Sequence, residues 1–157
     1  MKLNIVLLEP EIPQNTGNIA RTCVITNTTL HIIGPIPFSL DEKAVKRAGL
    51  DYWELLDLRY YNNYQEFVQK NPETTIYYAT TKTNKSHSDM IYPREDLYIM
   101  FGKETAGISE KILDANKDTC IRIPMLNIEK ARSLNLSNSV AIAVYEVLRQ
   151  WNYPGMR

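Results

Sequence analysis

The residues best suited to chemistry cluster first in PQNTGNIAR (13–21), which holds Asn15, Gly17, Asn18 and Arg21. Asparagine amides both donate and accept hydrogen bonds, and the arginine guanidinium is a planar five-donor fork that suits phosphate. Gly17 permits close backbone approach or a positive φ. The same residues also fit a plain helix start, with Asn15 or Thr16 as its cap and Arg21 on the surface. A second candidate is FGKETAGIS (101–109), where a strand runs into Gly102 and Gly107 and then a helix. That shape lets backbone N–H groups face a ligand. It matches neither a Walker loop nor a G-x-G-x-x-G fingerprint, so nucleoside triphosphate or NAD binding is not indicated, and a structural turn is the alternative.

Two further stretches break the apolar pattern. YATTK (78–82) ends a strand on hydroxyls. IPMLNIEKARSLNLSNSVAIAVYE (123–146) sets Ser133, Asn135, Ser137 and Asn138 immediately before the most apolar helix of the chain. One N-cap needs one such residue; four suggest a backbone bent around something polar, or a tight passage against another loop. Tyr145 falls at the edge of that helix's apolar stripe, where a core tyrosine with its hydroxyl at the rim is the simpler account. No Ser-His-Asp, Cys-His or paired-carboxylate set can be assembled. A reaction that depends mainly on positioning two reactants is easier to accommodate than hydrolysis.

The elements that must position these residues alternate. LNIVLL (3–8), LHIIG (30–34), YWELLDL (52–58), TTIYYATT (74–81), DLYIMFG (96–102) and TCIRIP (119–124) read as strands. Helices are expected after the first strand to about residue 26, over 41–49, over 64–71, over 109–116 with Ser109 as N-cap, and from Leu136 or Ser137 to Pro154-Gly155. Ile19, Cys23 and Thr26 share one side of the first helix, with Arg21 roughly opposite. Val140, Val144, Val147, Leu148 and Trp151 form the stripe of the last. This alternation predicts a mostly parallel sheet with helices on both faces, and one domain over 1–157. In such a fold the turns leaving the carboxyl ends of strands bind ligands.

Composition bounds the rest. The 157 residues are 44% hydrophobic and 23% charged, as in an ordinary globular domain. Lys+Arg and Asp+Glu are 18 each, so there is no global pull toward nucleic acid or an anionic membrane. A local basic patch would still suffice for RNA, and KAVKR (43–47) and TTKTNK (80–85) are basic clusters, though each also reads as plain solvated surface. No apolar run spans a bilayer, and Met1-Lys2 leads straight into a strand, so a cytoplasmic protein without membrane contact is expected. Cys23, Cys120, His31 and His87 show no metal-ligand spacing. The cysteines read as small core residues and His31 as a strand histidine; no metal is expected.

Taken in order, PQNTGNIAR (13–21), KRAGLDYW (46–53), FGKETAG (101–107) and IPM…RSLNLSNSVAIAVYEVLRQ (123–150) resemble the successive motifs of the SPOUT-class RNA ribose methyltransferases. Within that class the chain is most similar to the small TrmL/YibK group, which methylates the 2′-hydroxyl of the wobble nucleotide, cytidine or uridine 34, of certain tRNAs, leucine tRNAs among them. The resemblance covers nearly the whole chain. It implies an α/β sheet whose C-terminal part is threaded into a deep trefoil knot, a feature that periodicity alone would not have suggested. It also implies a homodimer acting on the tRNA anticodon loop with S-adenosylmethionine as cofactor and S-adenosylhomocysteine as product.

By the same resemblance, Ala79, Thr80, Gly102, Gly107, Ile123, Met125, Ser133 and Leu134 would hold the cofactor, mostly through backbone contacts. Asn15, Gly17, Asn18 and Arg21 would face the ribose and phosphate of the target nucleotide, in the dimer from the partner subunit. Arg21 would bind phosphate and stabilise the developing alkoxide, because guanidinium is a poor base. Asn135 and Tyr145 would position the substrate or the cofactor carboxylate, while Arg47, with Arg132, would add to RNA binding. Two features depart from the family pattern: the loop MLNIEKA (125–131) is longer, and Ala79 stands where a larger aliphatic residue is common. Rival readings are a 2′-O-methyltransferase for another tRNA or rRNA position, a catalytically silent RNA-binding factor on the same fold, and a flavodoxin-like nucleotide-binding module.

Overall fold

The computed structural model describes residues 1–41, 43 and 51–157. Six parallel strands form one sheet: β1 (Leu3–Leu8), β2 (Thr29–Ile33), β3 (Leu58–Tyr61), β4 (Thr75–Ala79), β5 (Leu97–Phe101) and β6 (Cys120–Ile121), in the order β3-β2-β1-β5-β4-β6. Among the described residues the α-helices are α1 (Pro13–Ile25), α2 (Tyr64–Lys70), α3 (Glu110–Asp114) and α4 (Leu136–Gln150).

The sheet is buried on both faces, and strand periodicity divides its side chains. Leu3, Ile5 and Leu7 of β1 join one core cluster, whereas Val6 and Leu8 join the other. The first cluster is closed by Ile19, Ala20 and Cys23 of α1 and by Val140, Ala143, Val144, Val147 and Leu148 of α4, with Trp151 just beyond. The second is closed by Phe67 of α2 and Leu113 of α3. Every strand position of β1 and β2 is buried, which accounts for their near-continuous apolar runs. Each fully buried valine or leucine of α4 contributes about 1.5–3 kcal/mol relative to exposure.

One buried polar cluster, around His31, is satisfied internally. His31 on β2 bonds the Tyr61 hydroxyl through Nδ1 and Asn4 Oδ1 through Nε2, both at 2.9 Å. Since Asn4 Oδ1 only accepts, Nε2 carries the proton and Nδ1 accepts from the tyrosine. His31 is thus a core histidine, as expected from its strand. Burial, the largest cause, drops its pKa to about 4. Burial likewise pushes the Cys23 thiol up to about 12, which keeps it inert.

Three expectations change. The segment 52–58 is not a strand: Trp53–Leu55 is a 3-10 turn, and the strand begins at Leu58. The last strand is shorter than 119–124, because the Arg122 N–H leaves the sheet partner and bonds the Lys85 carbonyl at 2.8 Å. Neither Asn15 nor Thr16 caps α1, whose first residue is Pro13 and whose N-cap is Ile12. Ser109 does stand at the N-cap of α3, without a side-chain cap bond. The helix expected over 41–49 falls almost wholly outside the described residues, and Arg47 with it.

Candidate active site

Because all strands are parallel, the carboxyl ends of β1, β4, β5 and β6 share one edge of the sheet. Between β1 and β5 the strand order reverses direction, which is where open α/β sheets form a ligand crevice. A cavity of about 490 Å³ lies at this edge, walled by the start of α1 and by the segments that follow β4, β5 and β6.

The segment after β5 folds back on itself. Gly107 donates its N–H to the Lys103 carbonyl at 2.8 Å and adopts a φ of 68°, a conformation glycine takes without a Cβ penalty. A Cβ on Gly102 would lie 2.0 Å from the Gly107 carbonyl carbon and 2.3 Å from the Ile108 nitrogen. Glycine is obligatory there because backbone passes against backbone. The segment after β4 is pinned by Thr80 N–H to the Ile121 carbonyl at 2.9 Å and by Arg122 Nη1 to the Thr81 carbonyl at 2.6 Å. The segment after β6 ends on Asn135, whose Oδ1 accepts the Ser137 N–H at 2.9 Å and its hydroxyl at 2.6 Å, capping α4.

The entry to α1 explains why its own asparagine does not cap it. Pro13 at the first helical position needs no N–H partner. The preceding N–H groups, of Glu11 and Ile12, are taken by the Glu104 carboxylate at 2.8 and 3.2 Å, and Asn15 Nδ2 adds a bond to it at 3.3 Å. In return the Glu11 carboxylate accepts the Thr105 N–H at 3.0 Å and its hydroxyl at 2.7 Å. Those Thr105 bonds, the side-chain one first, hold the Glu11 pKa below the usual carboxylate range. The helix start and the glycine-bounded loop are thereby clamped together. Glu104 lies within FGKETAG, where local pattern assigns it no role; its only signal in the sequence is an acid between two glycines.

All eight residues expected to hold the cofactor line this one cavity: Ala79, Thr80, Gly102, Gly107, Ile123, Met125, Ser133 and Leu134. Asn15 and Asn135 line it as well. Lys103 and Arg132 reach its wall, as does Lys82, which is paired with Glu110 at 3.0 Å, and Glu104 is the one acid of the wall, engaged in hydrogen bonds. The wall is therefore net positive and can take an anionic group.

The remaining expected residues lie elsewhere. Asn18 and Arg21 are exposed on α1 and do not line the cavity; Arg21 is six residues beyond Asn15, about 9 Å farther along the axis. Its guanidinium carbon stands 5.6 Å from the centroid of the Tyr52 ring. Tyr145 is also outside the cavity, 39% exposed on α4 beside Ile142 at 39%. Among the described residues no group of three or more His, Cys, Asp or Glu could hold a metal ion. No helix is long and apolar enough to cross a membrane among them.

Residues 2–145 match the SpoU rRNA Methylase family. The chain belongs to this family. Among curated relatives, the tRNA (cytidine(34)-2′-O)-methyltransferase of Escherichia coli (strain K12) is 47% identical to this SpoU-family chain, over 98% of it and 96% of the relative. The protein of the same name from Yersinia pestis is 46% identical, over 98% and 96% respectively. A solved structure described as giving insight into 2-OH methylation of C/U34 on tRNA superposes with a TM-score of 0.87, at 38% identity, covering 96% of this chain and 97% of that one. The SpoU methyltransferase AviRb from Streptomyces viridochromogenes, solved in complex with AdoMet, has a TM-score of 0.78 over 96% of this chain and 61% of its own, at 22% identity. That last likeness is one of fold.

Proposed function

We propose that this SpoU-family chain is an S-adenosylmethionine-dependent methyltransferase for the ribose 2′-hydroxyl of nucleotide 34, cytidine or uridine, in tRNA, leucine tRNAs among them. The observation that carries the reading is the convergence of eight separately placed motif residues on one cavity at the strand ends. The cavity fits the cofactor: it brings together backbone polar groups, apolar walls from Ile123, Met125 and Leu134, and a loop whose backbone packs on itself at Gly102 so closely that a Cβ there would displace the wall. When bound, S-adenosylmethionine supplies an activated methyl group on a sulfonium centre.

The chain's own residues then align and stabilise. The basic wall, with Asn135, receives the cofactor's carboxylate. Asn15 and Asn18 hold the ribose and phosphate of the target nucleotide. Arg21 binds phosphate and stabilises charge that develops on the 2′-oxygen, while a phosphate oxygen or water accepts the proton. Because Asn18, Arg21 and Tyr145 lie away from their own chain's cavity, the reading includes a homodimer in which they serve the neighbouring copy. The exposed Ile142 and Tyr145 on α4 supply apolar surface for that contact. Arg47 extends the RNA-binding surface. A single domain over 1–157, a trefoil knot in the C-terminal part, and action in the cytoplasm on the tRNA anticodon loop complete the proposal.

The test is methyl transfer from labelled S-adenosylmethionine to tRNA from cells lacking the protein, with the product nucleotide mapped by mass spectrometry. The expected product is 2′-O-methylcytidine or 2′-O-methyluridine at position 34. A methyl at another tRNA or rRNA position contradicts the substrate assignment. Cofactor binding without transfer to any RNA favours a silent RNA-binding factor.

A further inference from the structure

Tyr52 has no role in the site as described, yet two separate contacts tie it to α1. Its hydroxyl donates to the Gly17 carbonyl at 2.8 Å, and the Arg21 guanidinium carbon stands 5.6 Å from its ring centroid. Gly17 and Arg21 are four residues apart and therefore neighbours on one helix face. The hydroxyl thus fixes the ring against the turn that precedes Arg21, and the ring face lies under the cation. The bond fits a protonated phenol, and burial, the main cause, holds the Tyr52 pKa above the usual tyrosine value. Tyr52 itself packs against the core beside Trp53, so the platform is anchored to the body of the fold.

We infer that Tyr52 is a positioning residue: an aromatic platform that holds the Arg21 guanidinium in the orientation needed at the target phosphate. This rests on the role proposed above for Arg21. An exposed arginine samples many rotamers, and a π face beneath the guanidinium restricts them without using its five N–H donors. Those donors stay available for phosphate. Packing against the core keeps the ring plane in place, and the bond to Gly17 adds to that restraint.

The test compares Tyr52→Leu with Tyr52→Phe in the full chain. NMR of the Arg21 side chain, calorimetry with S-adenosylhomocysteine and steady-state methylation of tRNA are measured together. Tyr52→Leu, which removes the π face, is expected to lower kcat by on the order of tenfold. Cofactor-product affinity stays unchanged, since Tyr52 does not line the cavity. Tyr52→Phe keeps the ring and is expected to retain most of kcat. The Arg21 Nε–H and Cδ protons are expected to show an upfield ring-current shift in the unaltered and Tyr52→Phe proteins that vanishes in Tyr52→Leu.

Equal loss of kcat in Tyr52→Phe and Tyr52→Leu overturns the inference, as does the absence of a ring-current shift. Full activity of Arg21→Ala, with the ring-current shift present in the unaltered protein, overturns instead the proposed role of Arg21. The two failures are therefore distinguishable.

Discussion

The carboxylate of Glu104 accepts the backbone N–H of Glu11 at 2.8 Å, although the two residues are 93 positions apart. Glu11 answers through the hydroxyl and N–H of Thr105, so two loops from neighbouring strands hold each other by reciprocal charge-assisted bonds. One of these loops begins the helix that carries Arg21, and the other forms a wall of the cavity. Glu104→Ala is expected to cost about 1–3 kcal/mol of stability by releasing its bonded N–H groups. Its affinity for S-adenosylhomocysteine should fall on the order of tenfold as the wall loosens. Glu104→Gln, whose amide oxygen still accepts, should lose less of both. Urea unfolding and calorimetry on the two variants check this.

Gly102 and Gly107 separate two ways in which a glycine can be required. Gly102→Ala drives a Cβ into backbone, and cofactor binding should be lost along with several kcal/mol of stability, on the order expected for severe overpacking. Gly107→Ala meets no atom within 4 Å and carries only the left-handed penalty of about 1–2 kcal/mol. Gly107→Asn should recover part of that, since asparagine visits this region more readily. Thermal unfolding with and without S-adenosylhomocysteine distinguishes the two glycines.

His31 makes stability depend on pH. Its folded pKa of about 4 lies below the unfolded value, which is close to 6.5, so the unfolded chain binds the extra proton between those pH values. Stability from this site is complete above pH 6.5 and is lost as pH falls through 4, by about 3 kcal/mol in total. Burial is the main cause; Arg59 lowers the pKa further and Asp57 opposes it. Unfolding midpoints measured from pH 7.5 down to 4 should show this slope in the unaltered protein. His31→Gln should flatten it.

Arg21 and the cavity predict opposite signatures. Arg21→Lys keeps a positive charge but loses the planar fork, so kcat should fall at least tenfold on the scale of one lost transition-state contact. Affinity for S-adenosylhomocysteine should not change, because Arg21 is outside the cavity. Asn135→Ala, in contrast, should weaken cofactor binding and cost about 1 kcal/mol from the lost α4 cap. Parallel kinetics and calorimetry separate the two classes.

Much of this arrangement was legible in the sequence because it rests on local pattern. LNIVLL and LHIIG announce buried parallel strands, and the valines of α4 announce a helix packed on them. Asn15, Gly102, Gly107, Ser133 and Asn135 stand out by residue type at strand ends, but only the family motifs say that they converge with Ala79 and Leu134. What failed had non-local causes. Trp53, Leu55 and Leu56 look like a strand by composition, but the chain turns there and the pairing with β2 starts at Leu58. That strand lies at the edge of the sheet with Arg59 and Tyr60 exposed, so its apolar signal is weak. The carboxylate that holds the entry to α1, on the N–H groups of Glu11 and Ile12, comes from Glu104, far away in sequence, which no capping rule applied to Asn15 or Thr16 could find. The end of β6 was overextended because Arg122 continues the extended backbone while pairing with Lys85 and Ser86 instead of the sheet.

The most direct test of the central claim, that the cavity at the strand ends is the S-adenosylmethionine site, is titration calorimetry with S-adenosylhomocysteine on the unaltered chain and on Gly102→Ala. The account predicts one molecule bound per chain in the first and none in the second, with folding of Gly102→Ala verified by circular dichroism. No binding to the unaltered chain at millimolar ligand, or equal binding to a folded Gly102→Ala, would contradict it.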